Sequence, residues 1–162
     1  MVSRLHFDLA SKLGILLQQK QYTISVAESC TGGLIGAVLT ELPGTSFFFR
    51  GGVIAYSNEI KEKYLHVPGT ILEQYGAVSA QTVRAMAEGV AQGMDTECAI
   101  SISGIAGPSG GTPEKPIGLV YMGFVTPADK WERRYIFSGD RQKVREQSVE
   151  QALLNIIDSL AE

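Results

Sequence analysis

Cysteine and histidine are scarce in these 162 residues, with two of each. Cys30 and Cys98 are too few for the disulfide framework of a small secreted domain, so both are expected to stay reduced, in a cytoplasmic protein. Cys30 has no other Cys or His at metal-ligand spacing, so neither a metal nor a cofactor is expected. His6 falls on a first amphipathic segment and His66 at the end of a short one, as surface or packing residues, which leaves a Ser-His-Asp triad poorly supported. Basic charge is not in surplus either. Fourteen Lys and Arg against seventeen Asp and Glu give a net charge of −3, and no basic, aromatic-interleaved stripe runs along the chain. That speaks against direct nucleic-acid binding while leaving room for a local pocket for one small anion. No run approaches membrane-spanning length, and the first eight residues lack a signal-peptide apolar core. No internal repeat, low-complexity tract or linker-like stretch interrupts the chain. What is there is a globular composition, 44% hydrophobic and 19% charged, long enough to bury a full core and read as one domain over residues 1–162. A homo-oligomer, by default a symmetric dimer, is expected.

The apolar spacing of Leu5, Leu9, Leu13, Leu16 and Leu17 predicts a first helix over about residues 5–19. Residues 23–27 (Thr-Ile-Ser-Val-Ala) read as a buried strand ending at Glu28-Ser29. Thr31-Gly32-Gly33 then starts a helix with Leu34, Ile35, Val38 and Leu39 inward, ended by the breakers of residues 42–45. Residues 47–56 are aromatic and β-branched, predicting a strand with a bulge at Gly51-Gly52. Ser57 or Asn58 caps a short helix carrying Lys61, and Ser79 caps a longer one with Val83, Met86, Ala87 and Val90. Residues 99–103 alternate as a strand that runs into a glycine-rich loop, and residues 118–125 and 131–137 predict a hairpin. Asp140 caps a final helix with Val149, Leu153, Ile156 and Leu160 inward. Helix-separated strands followed by a hairpin predict a three-layer α/β/α sandwich with a mixed, mostly parallel sheet.

Four features can carry chemistry. Ser29 sits at a strand-to-helix junction followed by Cys30-Thr31-Gly32-Gly33, where unpaired amides favour negative charge and can form an oxyanion hole. It is either a nucleophile or merely a helix cap. A serine nucleophile needs a base, and Lys61, a turn after Tyr56, can serve if burial leaves its amine neutral. By spacing alone Lys61 equally reads as a solvated helix lysine, and Tyr56 as a core or rim aromatic. The loop of residues 104–111, with Gly107, Gly110 and Gly111, presents amides suited to a phosphate, or is an ordinary long turn. Arg141 and Arg145 share a helical face and either grip a phosphate or make surface ion pairs with Glu146 and neighbours.

Together, residues 27–33 (AESCTGG), Tyr56-Ser57-Asn58-Glu59 with Lys61, Gly76-Ala77-Val78-Ser79, residues 101–108 (SISGIAGP) with Gly110-Gly111, Lys115-Pro116 with Gly118, and Ser138-Gly139-Asp140-Arg141 resemble the CinA C-terminal domain family, including its stand-alone nicotinamide-nucleotide amidohydrolase (PncC-like) members. These blocks span nearly the whole chain in the family's order, and the start of the chain resembles the stand-alone form. The resemblance implies hydrolysis of nicotinamide mononucleotide to nicotinic acid mononucleotide and ammonia, in pyridine-nucleotide recycling. It implies Ser29 as nucleophile, Lys61 as general base and Tyr56 assisting. Beside these, Cys30, Thr31, Gly32, Gly33, Gly107, Gly110, Gly111, Arg141 and Arg145 are expected to bind substrate, and Glu28 either faces the cationic ring, orients Lys61 or is structural. The alternative is an inactive or differently specific paralogue that acts as a nucleotide-binding or regulatory module.

Overall fold

A computed structural model describes residues 2–162; Met1 lies outside the described residues. In chain order the elements are α1 (Arg4–Lys20), β1 (Ile24–Glu28), α2 (Leu34–Thr40), β2 (Phe49–Ile54), α3 (Asn58–Leu65), α4 (Gly69–Tyr75), α5 (Ala80–Met94), β3 (Cys98–Gly104), β4 (Leu119–Val125), β5 (Lys130–Ile136) and α6 (Arg141–Ala161). The five strands form one sheet in the order β2-β1-β3-β4-β5. β1 pairs in parallel with both β2 and β3, and β4 runs antiparallel to both β3 and β5. Only β4 therefore opposes the common strand direction, which gives the expected mixed, mostly parallel sheet.

Strand alternation divides the core in two. Ile24 and Val26 of β1, Ile100 and Ile102 of β3, and Val120, Met122 and Phe124 of β4 point to one face. There they pack with Leu9, Leu13 and Leu17 of α1, Ile35, Val38 and Leu39 of α2, and Val149, Leu153, Ile156 and Leu160 of α6. Each Leu or Ile withdrawn fully from water there contributes about 1.5–3 kcal/mol. The opposite face carries small residues, Ser25, Ala27, Ala99, Ser101 and Ser103, and α5 lies close against it with Met86, Ala87 and Val90. A side chain at Gly123 of β4 would run into the Val83 carbonyl and the Ser101 hydroxyl, so glycine there permits that approach.

Several helix starts are set by local capping. The side chains of Ser57, Ser79 and Asp140 accept the Ile60, Thr82 and Lys143 amides at the starts of α3, α5 and α6. Four expectations are corrected. Residues 47–48 are not strand: Gly44 in the left-handed region starts a short 3-10 turn over Thr45–Phe47 that buries Phe48 and leaves Phe47 exposed. The bulge falls at Arg50, because Ile24 pairs with Phe49 and the next residue, Ser25, with Gly51. A further helix, α4, follows Pro68. Leu5 is half exposed, and His6 takes the inward place, with its Nε2 3.1 Å from the Glu146 carbonyl on α6.

Candidate active site

The carboxyl ends of β1, β2 and β3 deliver Ser29, the segment leading to Lys61, and Ser103 to one place, where open α/β sheets bind ligands. Ser29 follows β1 directly, and its amide donates to the Ile102 carbonyl of β3 at 3.0 Å. It is not a helix cap. The residue preceding α2 is Gly33, and Gly32 and Gly33 take positive φ of 60° and 99°, a conformation residues with a side chain rarely adopt. The turn of residues 29–33 thus separates the serine from the helix.

Glu28 explains how that turn is held. Its buried carboxylate accepts the Gly33 and Ile35 amides on Oε2, both at 3.1 Å, and the Gly36 amide on Oε1 at 3.0 Å. It satisfies the start of α2 from inside and meets the positive end of the helix dipole. Glu28 is structural in this arrangement and does not orient Lys61. It also takes the amides that lie furthest into the helix. Among the described residues, the Cys30 and Thr31 amides donate to no main-chain carbonyl and are not taken by Glu28.

Lys61 lies on the inner face of α3 and is 1% exposed, so it is no solvated helix lysine. Its Nζ stands 2.8 Å from the Ala55 carbonyl oxygen, 3.2 Å from the Tyr56 carbonyl oxygen and 3.3 Å from Ser29 Oγ. Burial lowers its pKa, and the opposing influence of the neighbouring Cys30 is smaller. Two N–H groups donate to the two carbonyls, and Nζ also stands within hydrogen-bonding distance of the serine hydroxyl, to which an ammonium donates and from which a neutral amine accepts. Burial also pushes the Cys30 thiol up to about 12, so the neighbouring sulfur is a neutral thiol and not a competing nucleophile.

Ser29, Cys30, Tyr56, Lys61, Ala77, Val78, Ser103, Gly104, Ala106 and Arg141 enclose a cavity of about 180 Å³. Tyr56 is 64% exposed at its rim, and its hydroxyl accepts from Arg141 Nη2 at 3.3 Å. Its main-chain carbonyl, rather than its hydroxyl, reaches Lys61. Arg141 also donates to the Gly107 carbonyl at 2.8 Å, and Arg145 donates to the Thr31 carbonyl at 2.9 Å. Both arginines line a second, adjoining cavity of about 400 Å³ with Leu34, Gln142 and Glu146. Neither forms a salt bridge among the described residues, and Glu146 instead accepts from Gln142. Thr31, Gly32 and Gly33 flank the first cavity without lining it. Gly110 and Gly111 lie on the exposed part of their loop, away from its wall. Ser103, which the sequence did not single out, is in that wall; its only signal was its alternation with Ser101 on β3. Among the described residues no three His, Cys, Asp or Glu side chains gather as a metal site, and no helix is long and apolar enough to cross a membrane.

Comparison with known proteins bears on this geometry. A "CinA-like protein" from Dictyoglomus thermophilum is 55% identical over 130 residues, which are 80% of this chain and 32% of that protein. The chain thus spans about a third of the length of the curated relatives it matches. The crystal structure of a competence/damage inducible protein from Agrobacterium tumefaciens superposes with a TM-score of 0.95 at 32% identity, covering 100% of this chain and 99% of that one. The competence damage-inducible protein A from Klebsiella pneumoniae superposes at 0.93 and 31% identity, covering 97% and 98%. The family model described as "CinA C-terminal domain" matches residues 6–160. The chain belongs to the CinA C-terminal domain family.

Proposed function

We propose that this protein is an amidohydrolase that converts nicotinamide mononucleotide to nicotinic acid mononucleotide and ammonia, with Ser29 as nucleophile and Lys61 as general base. The observation that carries the reading is a buried lysine with no carboxylate partner among the described residues, 3.3 Å from a serine hydroxyl that opens into a cavity. A serine next to a neutral amine is a nucleophile with its base in place.

The two cavities suit the two ends of such a substrate. The smaller has Ala77, Val78 and Ala106 in its walls, apolar surface for a flat ring whose carboxamide reaches Ser29. Arg141 lines both cavities, and Arg145 lines the larger one, so a ribose phosphate attached to the ring meets two guanidiniums that hold no carboxylate. A cationic pyridinium beside Lys61 holds that amine neutral more firmly still.

In this mechanism Lys61 accepts the Ser29 proton while Oγ attacks the carboxamide carbon. The developing oxyanion is met by the Cys30 and Thr31 amides. The ammonium of Lys61 returns its proton to the departing nitrogen, the carboxamide C–N bond breaks, and ammonia leaves behind the nicotinic acid mononucleotide esterified to Ser29. Water, losing a proton to Lys61, then attacks the ester and regenerates the serine. The Ala55 and Tyr56 carbonyls keep Nζ aimed throughout, whichever protonation state it holds.

The purified protein, incubated with nicotinamide mononucleotide and separately with free nicotinamide, tests this. Ammonia and nicotinic acid mononucleotide are expected from the nucleotide at far higher rate than ammonia from the free amide. No product from folded protein would refute the assignment and favour a binding or regulatory module.

A further inference from the structure

Two hydroxyls in the wall of the Ser29 cavity are left idle by the mechanism above: that of Tyr56, which accepts from Arg141, and that of Ser103. Ser103 lies near the carboxyl end of β3, beside Ile102, whose carbonyl accepts the Ser29 amide. The strand carries its own control two residues earlier. Ser101, also buried, donates its hydroxyl to the Val83 carbonyl of α5 and is thereby accounted for. Ser103 as a whole is 1% exposed, and among the described residues its hydroxyl takes part in no hydrogen bond, yet that oxygen is not sealed off: what access it has is to the cavity it lines.

We propose that Ser103 contacts the substrate and reads the nitrogen of the scissile carboxamide. The proposal rests on the amidohydrolase reading. A carboxamide presents one acceptor oxygen and two N–H donors. With its carbon at Ser29 Oγ and its oxygen at the Cys30 and Thr31 amides, the nitrogen needs an acceptor elsewhere. Lys61 has none to spare, because its lone pair takes the serine proton and its N–H groups are held by two carbonyls. Ser103 Oγ is the unused acceptor in the wall. After the C–N bond breaks and ammonia departs, the same hydroxyl can accept from the incoming water. Once the ester is cleaved it can rotate and donate to the product carboxylate. One rotor thus serves amide, water and acid, which a fixed donor or acceptor does not.

The test compares kcat/KM for nicotinamide mononucleotide and for the methyl ester of nicotinic acid mononucleotide, in wild type, Ser103→Ala and Ser103→Cys. The ester has no N–H to read. For Ser103→Ala a loss on the order of tenfold to a hundredfold is expected on the amide, with the ester nearly unchanged. Ser103→Cys keeps the volume but offers a weaker acceptor, and an intermediate loss on the amide alone is expected. Equal losses on both substrates, or no loss on the amide, overturn the assignment and leave Ser103 a structural residue. A wild-type protein that cleaves the ester yet releases no ammonia from the amide, or is inert to both, overturns the amidohydrolase reading and this role with it.

Discussion

Replacing Glu28 by Gln keeps the size of a buried side chain and removes its charge, and the geometry fixes what should follow. The carboxylate receives three amides, two on Oε2 and one on Oε1. The best orientation of a glutamine keeps its oxygen on the Gly33 and Ile35 amides and turns its NH₂ toward the Gly36 amide. One hydrogen bond is lost and a donor faces a donor. An unsatisfied buried amide costs about 1–3 kcal/mol, and loss of the charge at the start of α2 adds up to about 2 kcal/mol more. The total expected is roughly 1–5 kcal/mol, which for a chain of this size lowers Tm by about 2–20 °C. Urea unfolding should show a lower midpoint at unchanged slope. Activity should fall too, because the turn carrying Ser29 hangs between β1 and that helix start. A Glu28→Gln protein with wild-type midpoint and wild-type rate would refute the view that this carboxylate holds the turn.

Further outcomes follow from the site. Lys61→Met should abolish turnover in a protein that still folds: below the ordinary 10.5 the unfolded chain protonates this lysine while the folded state resists, so a penalty on folding disappears with the amine and offsets the two carbonyl hydrogen bonds lost with it. A folded protein with wild-type rate would contradict the role of Lys61. The rate should decline as pH falls through the lowered Lys61 pKa, since only the neutral amine takes the serine proton, and a flat acidic limb in single-turnover acylation would count against Lys61 as base. Arg145→Ala should raise KM for the phosphorylated substrate by roughly tenfold to a hundredfold and affect the unphosphorylated riboside much less, through the lost Thr31 contact alone; equal effects on both would place the phosphate elsewhere. Cys30→Ala should keep most of the activity, because a thiol pushed up to about 12 is neutral at working pH. Loss comparable to that of Ser29→Ala would give the sulfur a direct role.

Where side-chain periodicity and capping decide an element, the sequence showed it. Val83, Met86, Ala87 and Val90 are indeed the buried face of α5, and Ser57, Ser79 and Asp140 do cap their helices. The seven residues of α4 escaped because only Leu72 is buried, so no apolar repeat marks it. Phe47 read as strand because aromatics favour strands, whereas the positive φ of Gly44 had already turned the chain. The site was legible in its residue types and not in its roles. Lys61 has the same letter whether solvated or sealed against the segment that follows β2, and two of its partners there are carbonyls, which carry no mark in sequence. Glu28 was ambiguous for the same reason, since all three of its partners are backbone amides. Ser103 needed the cavity to separate it from Ser101.

The most direct test of the account is ammonia release from nicotinamide mononucleotide, measured with intact-protein mass on the same samples. Wild type is expected to release one ammonia per nicotinic acid mononucleotide and to show, on rapid acid quench, an adduct of nicotinic acid mononucleotide esterified through its carboxyl to Ser29; Ser29→Ala should show neither product nor adduct. Undiminished ammonia release by folded Ser29→Ala would contradict the central claim.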